Sequence, residues 1–214
     1  STATHNLHSD VPFSQSSSFP DSALNPYSTL TENPNFSGET ICFFQLNCHN
    51  RKDTTYSVLE TEKSAIAILL QEPWTNPVDF LPPLHSAWHR ITPLDKPTNQ
   101  AERPRCCIYL NRIIPSHQFH RLPNNSSLLT AIALTMTTPS PIRIHLLSVY
   151  NPPSTFPGLP IMTSWLGLHN SRSIATILMI DSNLHHPKWN PPKYTHTHSL
   201  AKDLIRLLGS KGFI

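Results

Sequence analysis

Four short polar strings follow apolar runs in this sequence, and each carries side chains that can do chemistry. They are Gln45-Leu-Asn47, Gln71-Glu72, Tyr150-Asn151 and Asp181-Ser-Asn183. Asp181 and Asn183 follow the apolar run Ala175–Ile180, and side chains two residues apart on a strand point the same way. A single such string is more typical of a turn at the end of a strand. Four in order predict one shared rim whose carboxylates, amides and phenol suit Mg²⁺ and phosphodiester cleavage.

Strand-like and helical patterns alternate along the chain and would position this rim. Strands are predicted at residues 40–47, 65–70, 105–110, 128–135, 143–150 and 175–181, and helices at 53–63, 158–170 and 199–208. Asp53 would be the N-cap of the first helix. Helices early and late, with hairpin-like strands between them, indicate a mixed α/β fold.

Length and composition indicate one domain with a polar leader. The 214 residues suffice for one hydrophobic core. Residues 1–38, rich in Ser, Thr, Asn and Pro, are predicted to be a disordered or loosely attached leader, and residues 39–214 the folded domain. The net charge of +3 with scattered Lys and Arg is compatible with a polyanion partner, but it does not indicate a strongly basic binding module.

The cysteines and the apolar runs indicate an intracellular protein that does not cross a membrane. Cys42, Cys48, Cys106 and Cys107 match no zinc or redox spacing, so reduced thiols packed in strands are expected. The longest apolar run, residues 65–70, is far shorter than the ~20 residues of a membrane span. Because residue 1 is Ser rather than Met, we expect a processed chain or a fragment.

The strings, taken with their neighbours, resemble a known family. They are Gln45-Leu-Asn47, Leu69-Leu-Gln71-Glu72-Pro73-Trp74, Ser148-Val-Tyr150-Asn-Pro-Pro153 and Asp181-Ser-Asn183-Leu-His185-His186-Pro187-x-Trp189. In this order they resemble the motifs of the endonuclease/exonuclease/phosphatase superfamily, and most of all the apurinic-type endonuclease domain of non-LTR (LINE-type) retrotransposons. The resemblance covers about residues 40–214. It implies a DNase I-like four-layer α/β sandwich, two mixed sheets flanked by helices.

The resemblance also implies a role for each residue of the rim. Glu72 would ligate Mg²⁺, or Mn²⁺ in its place, with Asn47 beside it. Tyr150 would contact the scissile phosphate. Asp181 would orient or deprotonate the attacking water, and Asn183 would hold the phosphate or that water.

Several further residues are candidates for contact with DNA. His185, His186 and Trp189 would shape the rim of the site and face DNA, and Arg105 is a candidate phosphate contact. The alternative, a transition-metal cluster made of His185, His186 and the string His196-x-His198, is disfavoured, since no carboxylate or cysteine completes a ligand set at zinc-like spacing.

Two departures from the family pattern affect the expected activity. Ile180 stands where the family has a glycine, so a strained backbone is expected there. The family's later Ser-Asp-His string does not occur before the sequence ends at Ile214. We therefore expect a C-terminally truncated fold with an incomplete catalytic set.

The leading functional hypothesis is Mg²⁺-dependent nicking of DNA, as in retrotransposon target-site cleavage, with activity reduced or absent. The new 3′-hydroxyl would prime a reverse-transcriptase domain of the parent polyprotein in the nucleus. The alternative is a non-catalytic DNA-binding remnant or a pseudogene product. A third, weaker hypothesis is a phosphomonoesterase or phospholipase of the same superfamily. No small-molecule cofactor and no membrane partner are expected.

Overall fold

The computed structural model of the protein describes residues 27–29, 41–124, 126–136, 141–169, 174–190 and 195–213. The predicted leader therefore lies outside the described residues, except for Tyr27–Thr29, which form a short strand. The predicted strand at residues 40–47 begins one residue before a described range, and the predicted helix at residues 158–170 ends one residue after one.

Two β-sheets and three α-helices make up the described part of the chain. One sheet contains β1 (Tyr27–Thr29), β2 (Cys42–Asn47), β3 (Ala67–Gln71), β4 (Trp88–Ile91) and β5 (Cys106–Asn111) in the order β1-β2-β3-β5-β4. The other contains β6 (Phe119–Leu122), β7 (Leu129–Met136), β8 (Ile142–Tyr150) and β9 (Ala175–Asp181) in sequence order. The helices are α1 (Lys52–Thr61), α2 (Gly158–His169) and α3 (Ser199–Ser210).

Each sheet mixes parallel and antiparallel pairs. β2 and β3 are parallel, as are β8 and β9, while the remaining pairs are antiparallel. Every residue of β3 is buried, as expected for a continuous apolar run in a strand covered on both faces. The parallel pairs matter for function because both members of each pair present their carboxyl ends at the same edge of the sheet.

Hydrophobic clusters divide the domain into four layers. Alternate residues of the two sheets pack face to face, for example Leu69 and Ile108 against Ile132 and Leu146. The outer face of the first sheet packs on α1 through Val58 and its neighbours. The outer face of the second sheet packs on α2 and α3. The predicted four-layer α/β sandwich of two mixed sheets is thereby confirmed.

The elements missing from the sequence-based assignment lie at sheet edges. β1, β4 and β6 each occupy an edge of a sheet. β6 carries two exposed polar residues, His120 and Arg121, because a strand at an edge can leave side chains in water. Such strands have no strong apolar pattern, and this explains why β4 and β6 were not predicted.

Two local expectations were wrong. Arg51 rather than Asp53 is the N-cap of α1, and Asp53 lies in the first turn, where its charge favours the helix dipole. Ile180 is a regular residue of β9 paired with Val149, and it is not among the described residues with positive φ. Its side chain packs with the apolar residues of α3, so the strain expected from replacing a glycine is not found there.

None of the helices within the described ranges is long and apolar enough to span a membrane. All four cysteines are free, and three of them, Cys48, Cys106 and Cys107, are buried. Burial raises the pKa of Cys48 to about 11 and that of Cys106 to about 12. These thiols are packing residues with little thiolate character at neutral pH.

Candidate active site

The two parallel strand pairs end together and deliver the predicted polar residues to one rim. Asn47 at the end of β2 pairs with Gln71 at the end of β3, and Tyr150 at the end of β8 pairs with Asp181 at the end of β9. Between the sheets, fully buried Gln71 donates to the Ser148 hydroxyl at 3.0 Å. This polar contact holds the two strand ends in a common register, since a buried amide must find a partner.

The Asn47 amide joins the two carboxylates of the rim. Its Nδ2 donates to Glu72 Oε2 at 3.3 Å and to Asp181 Oδ2. Its Oδ1 accepts the backbone N–H of His49 at 2.8 Å, which fixes the orientation of the amide. Residues separated by 134 positions in the chain thus meet through one side chain, and an acid from each sheet faces the same space.

The backbone of Glu72 has a strained conformation, and its side-chain carboxyl is kept ionised. Its φ of 45° lies in the left-handed region, which is uncommon for a residue other than glycine. Partial burial alone would raise the pKa of its carboxyl. Hydrogen bonds from Arg105, Tyr150 and Asn47 and the Arg105 charge outweigh burial and hold that pKa below its usual range. At neutral pH the side chain is therefore a carboxylate that can ligate a cation.

Further polar groups around Glu72 come from two separate segments, the turn after β2 and the residue before β5. Arg105 Nη2 donates to Glu72 Oε1 at 2.7 Å. Asn50 Nδ2 lies 3.4 Å from the same oxygen, and His49 Nδ1 lies 3.9 Å from Oε2. The Glu72 carboxylate, whose side chain is only 14% exposed, is thus enclosed by hydrogen-bond donors.

Tyr150 lies against Arg105 with its hydroxyl protonated. The Arg105 guanidinium carbon is 4.6 Å from the centroid of the Tyr150 ring, within the range of a cation–π contact. Burial, together with the neighbouring Glu72 carboxylate, raises the pKa of Tyr150 to about 12. The phenol therefore stays a hydrogen-bond donor at neutral pH, which is the form that can contact a phosphate oxygen.

Asp181 and Asn183 are placed by a tight turn after β9. The backbone N–H of Asn183 donates to Asp181 Oδ1 at 3.3 Å, and Asn183 has a φ of 49°. Asn183 Nδ2 donates to the backbone carbonyl of Asn151 at 2.9 Å. In this structure the Asn183 amide group therefore braces the neighbouring strand end, and its Oδ1 is the atom that remains for substrate or water.

A cavity of about 450 Å³ opens beside the Asp181 turn. Asp181 and Asn183 line it together with His185 and Trp189. His186 stacks on Trp189 with ring centroids 5.0 Å apart, and Trp189 Nε1 donates to the Leu184 carbonyl at 2.6 Å. His185 and Trp189 of this string thus line the same cavity as the acid, and His186 lies against Trp189, whereas Arg105 approaches the rim from the other sheet.

Two residues support this rim, Asn151, which the sequence analysis named only as part of the string Tyr150-Asn151, and Gly158, which it did not single out. Fully buried Asn151 donates to the Ser182 carbonyl at 2.7 Å and accepts the Gly158 N–H at 3.0 Å. A Cβ atom on Gly158 would lie 2.6 Å from the Tyr150 carbonyl oxygen, so only glycine allows α2 to begin this close to β8. One signal was available, since Gly158 is one of only five glycines in the chain.

The oxygen ligands at the rim suit a hard cation such as Mg²⁺, and they do not suit zinc. Glu72 and Asp181 offer carboxylate oxygens, and Mg²⁺ is commonly held by one or two carboxylates together with substrate phosphate and water. The Asn47 amide presents its NH₂ group to both acids and its oxygen to the His49 N–H. Throughout the described ranges, no group of three or more His, Cys, Asp or Glu side chains could hold a metal ion. The rings of His185 and His196 lie 6.3 Å apart by centroid and belong to no such group.

Comparison with known proteins identifies the fold. No protein-family model matches the sequence, and no curated protein matches it. The endonuclease domain of TRAS1, a telomere-specific non-LTR retrotransposon, is 15% identical with a TM-score of 0.56, covering 79% of this chain and 70% of that chain. Humanized D. rerio TDP2 with 14 mutations is 12% identical with a TM-score of 0.40, covering 73% and 67%.

The likeness to the TRAS1 domain establishes that this protein has the DNase I-like α/β fold. The resemblance inferred from the sequence motifs is confirmed at that level. Because unrelated activities occur on common folds, function has to be argued from the site itself.

Proposed function

We propose that this protein hydrolyses a phosphodiester bond of DNA with the help of a divalent cation, nicking one strand as in retrotransposon target-site cleavage. The observation that carries the proposal is the Asn47 amide, which donates to Glu72 from one sheet and to Asp181 from the other. An ionised acid, a second acid and a protonated phenol then face one space. Phosphodiester hydrolysis depends mainly on such positioning and on charge neutralisation.

In the proposed reaction, water attacks the phosphorus atom and the bond from phosphorus to the 3′ oxygen breaks. Asp181 accepts the proton of the attacking water, and the Asn47 amide together with the Asn183 N–H holds the Asp181 carboxylate in position. The departing 3′ oxygen takes a proton from solvent water to become a hydroxyl, and the other product keeps a 5′-phosphate. Tyr150 donates its hydrogen bond to a phosphate oxygen, since its raised pKa keeps the hydroxyl protonated.

Glu72 would hold the cation, Mg²⁺ or Mn²⁺ in its place, with Asn47 beside it. When bound there, the cation supplies charge neutralisation at the phosphate. The lowered pKa of Glu72 supports this role because the ligand must be ionised. His185, His186 and Trp189 would contact the DNA beside the scissile bond, and Arg105 would contact a phosphate.

Plasmid nicking tests the proposal directly. Supercoiled plasmid with Mg²⁺ should be converted to the open circle by the wild-type chain, and EDTA should stop the conversion. Asp181→Asn should slow it about a thousandfold because the proton acceptor is lost. Asp203→Asn is the matched control, since this acid forms an exposed ion pair with Arg206 on α3. Nicking that survives Asp181→Asn would refute the assignment.

A second candidate function is DNA binding without cleavage. It is favoured by the 2.7 Å contact between Arg105 and Glu72, which places a permanent positive charge beside the proposed cation ligand. In this case the wild-type chain would bind duplex DNA with strong salt dependence. It would leave supercoiled plasmid intact in Mg²⁺, and Glu72→Gln would not change the affinity.

The biological setting is part of the same proposal. A nicking enzyme of this type would supply the 3′-hydroxyl to a reverse-transcriptase domain of a parent polyprotein, and it would act in the nucleus. Extension of the nick made by this chain by a reverse transcriptase, on plasmid and in the presence of a template RNA, would support that setting.

A further inference from the structure

We propose that Arg105 is the residue that receives the phosphodiester, and that it must leave Glu72 to do so, so that phosphate and cation bind cooperatively. This inference rests on the proposed function in one respect, namely that Glu72 holds the cation. It adds that an anion bound to Arg105 releases Glu72 from the ion pair, so that Glu72 can bind the cation.

The present contacts of Arg105 place it in competition with a cation. Arg105 Nη2 donates to Glu72 Oε1 at 2.7 Å, and Asn47 donates to the other oxygen of the same carboxylate. A divalent cation that used Glu72 would lie within a few ångströms of the guanidinium. Since two positive charges repel strongly in a partly buried site, Arg105 lowers the affinity of Glu72 for the cation for as long as the ion pair persists.

Arg105 has an unused donor that a phosphate could satisfy. Its Nε is buried and has no hydrogen-bond partner. The guanidinium presents its donors as a rigid fork that matches two oxygens of a phosphate. A phosphodiester that took Nε and one terminal nitrogen would therefore replace the contact with Glu72 and also remove the cost of the buried unpaired N–H.

The backbone of Arg105 is held in place, so the proposed exchange involves its side chain alone. The Arg105 N–H donates to the Ser127 carbonyl at 2.8 Å, and its carbonyl accepts the Glu72 N–H at 2.8 Å, so the backbone is anchored on both sides. The guanidinium rests on the Tyr150 ring at 4.6 Å. In the proposed exchange the side chain rotates over this aromatic surface, which moves the guanidinium from the carboxylate to the phosphate and brings Nε out of its buried position.

Arg103 strengthens the positive character of the same place. Burial and the nearby Arg105 charge lower its pKa, while Glu72 and Tyr150 act in the opposite direction. The Glu72 carboxylate therefore acts electrostatically on two arginines of the segment that leads into β5, and it contacts one of them, Arg105. A cation bound to Glu72 would neutralise its negative charge, and both guanidiniums would then lack a counter-charge. An anionic phosphate would supply a new one. A bound phosphate should therefore raise the affinity for the cation, and a bound cation should raise the affinity for phosphate by the same factor, because the two binding equilibria are linked.

Mn²⁺ binding, followed by the electron paramagnetic resonance signal of free Mn²⁺, measures this coupling without any cleavage. The probe for the phosphodiester is dimethyl phosphate, with sodium chloride at matched ionic strength as the reference. In the wild-type chain, dimethyl phosphate should tighten Mn²⁺ binding about tenfold. Arg105→Met should bind Mn²⁺ about tenfold more tightly than wild type without dimethyl phosphate, and should not respond to it. Glu72→Gln should abolish Mn²⁺ binding at this site, both in the wild-type chain and in the Arg105→Met variant.

Two further variants make the result specific. Arg121→Met removes an arginine that pairs with Asp95 elsewhere, and it should leave Mn²⁺ binding as in wild type. Arg105→Lys keeps the charge but loses the fork. It should bind Mn²⁺ as weakly as wild type and gain less from dimethyl phosphate, and it serves if the methionine variant does not fold.

The outcomes separate this inference from the proposed function. If a Glu72-dependent Mn²⁺ site exists and its affinity is unchanged by Arg105→Met and by dimethyl phosphate, the coupling is refuted while the nuclease proposal stands. If neither the wild-type protein nor the Arg105→Met variant shows Mn²⁺ binding that depends on Glu72, both the coupling and the cation role of Glu72 are refuted.

Discussion

Two regions of this protein bury polar atoms, and they treat those atoms differently. At the rim, the carboxylates of Glu72 and Asp181 are surrounded by donors. Between α2 and the outer face of the second sheet, the buried atoms Nδ1 of His145, Nε1 of Trp165 and Oγ1 of Thr176 have no hydrogen-bond partner. The rim also buries one unpaired atom among the described residues, Arg105 Nε, but its carboxylates are held by donors, so it is organised to hold charge. The α2 layer carries three unpaired polar groups whose burial reduces stability.

The difference indicates that changes at the rim should affect chemistry first, and changes under α2 should affect stability first. The two regions meet where α2 begins, since Gly158 packs against Tyr150 and Asn151. Three predictions test this difference, beginning with the junction, and the second compares the α2 layer with the paired indole under α1.

Gly158→Ala should destabilise the protein by about 2 kcal/mol, because the new Cβ would overlap backbone that cannot move freely. Its distance to the Tyr150 carbonyl oxygen would be 2.6 Å. Nicking should also fall, since Tyr150 and Asn151 would shift. The control is Gly167→Ala in the same helix, where nothing lies within 4 Å. It should stabilise by about 1 kcal/mol through helix propensity. Urea unfolding and plasmid nicking measure both effects, and equal behaviour of the two variants would contradict the prediction.

Trp88→Phe should cost about 1–3 kcal/mol more than Trp165→Phe, because only the first loses a hydrogen bond. Both indoles are buried, but Trp88 Nε1 donates to the Leu59 carbonyl at 2.9 Å whereas Trp165 Nε1 has no partner. Chemical unfolding of the two variants gives the comparison, and neither should change nicking per folded molecule. Equal costs would show that Trp165 has a partner such as a buried water.

Acid should weaken the α2 layer before it weakens the rim. Burial, with the nearby His169 and His120, lowers the pKa of His145. The unfolded chain therefore takes up a proton more readily than the folded one, and stability should fall as the pH drops below about 6.5. The loss is complete once the pH is below the lowered pKa of folded His145. The Glu72 carboxyl, whose pKa is lowered, keeps its contribution down to about pH 4 and loses it as the pH falls through its folded value.

Urea midpoints at about pH 7.5 and about pH 5.5 measure the histidine effect. His145→Leu should reduce the difference between them, whereas His117→Leu, in an exposed turn, should not. An unchanged difference in His145→Leu would show that other groups cause the acid sensitivity.

Sequence patterns predicted the elements with a strong apolar pattern well and the polar edge strands poorly. β3 is an apolar run that is buried along its whole length, β9 is an apolar run at the edge of the second sheet, and α3 has leucines at helical spacing, so these were predicted close to their observed bounds. β4 and β6 are edge strands with polar residues, and their identity depends on the neighbour they pair with. The strain expected at Ile180 is instead found at Glu72 and Asn183, because the turns after the strands require it.

The sequence by itself determined which residues could do chemistry, since Asn47, Tyr150 and Asp181 each end a strand and Glu72 follows one. Strand ends in parallel pairs meet at one edge. Only the tertiary structure decided how they are connected. The contact of one amide with two acids joins side chains 134 residues apart. The pairing of Arg105 with Glu72, and the closeness of Gly158 to Tyr150, likewise depend on how two sheets and a helix pack. Local patterns report which face is apolar, whereas distances between distant segments are set by the packing of the whole core.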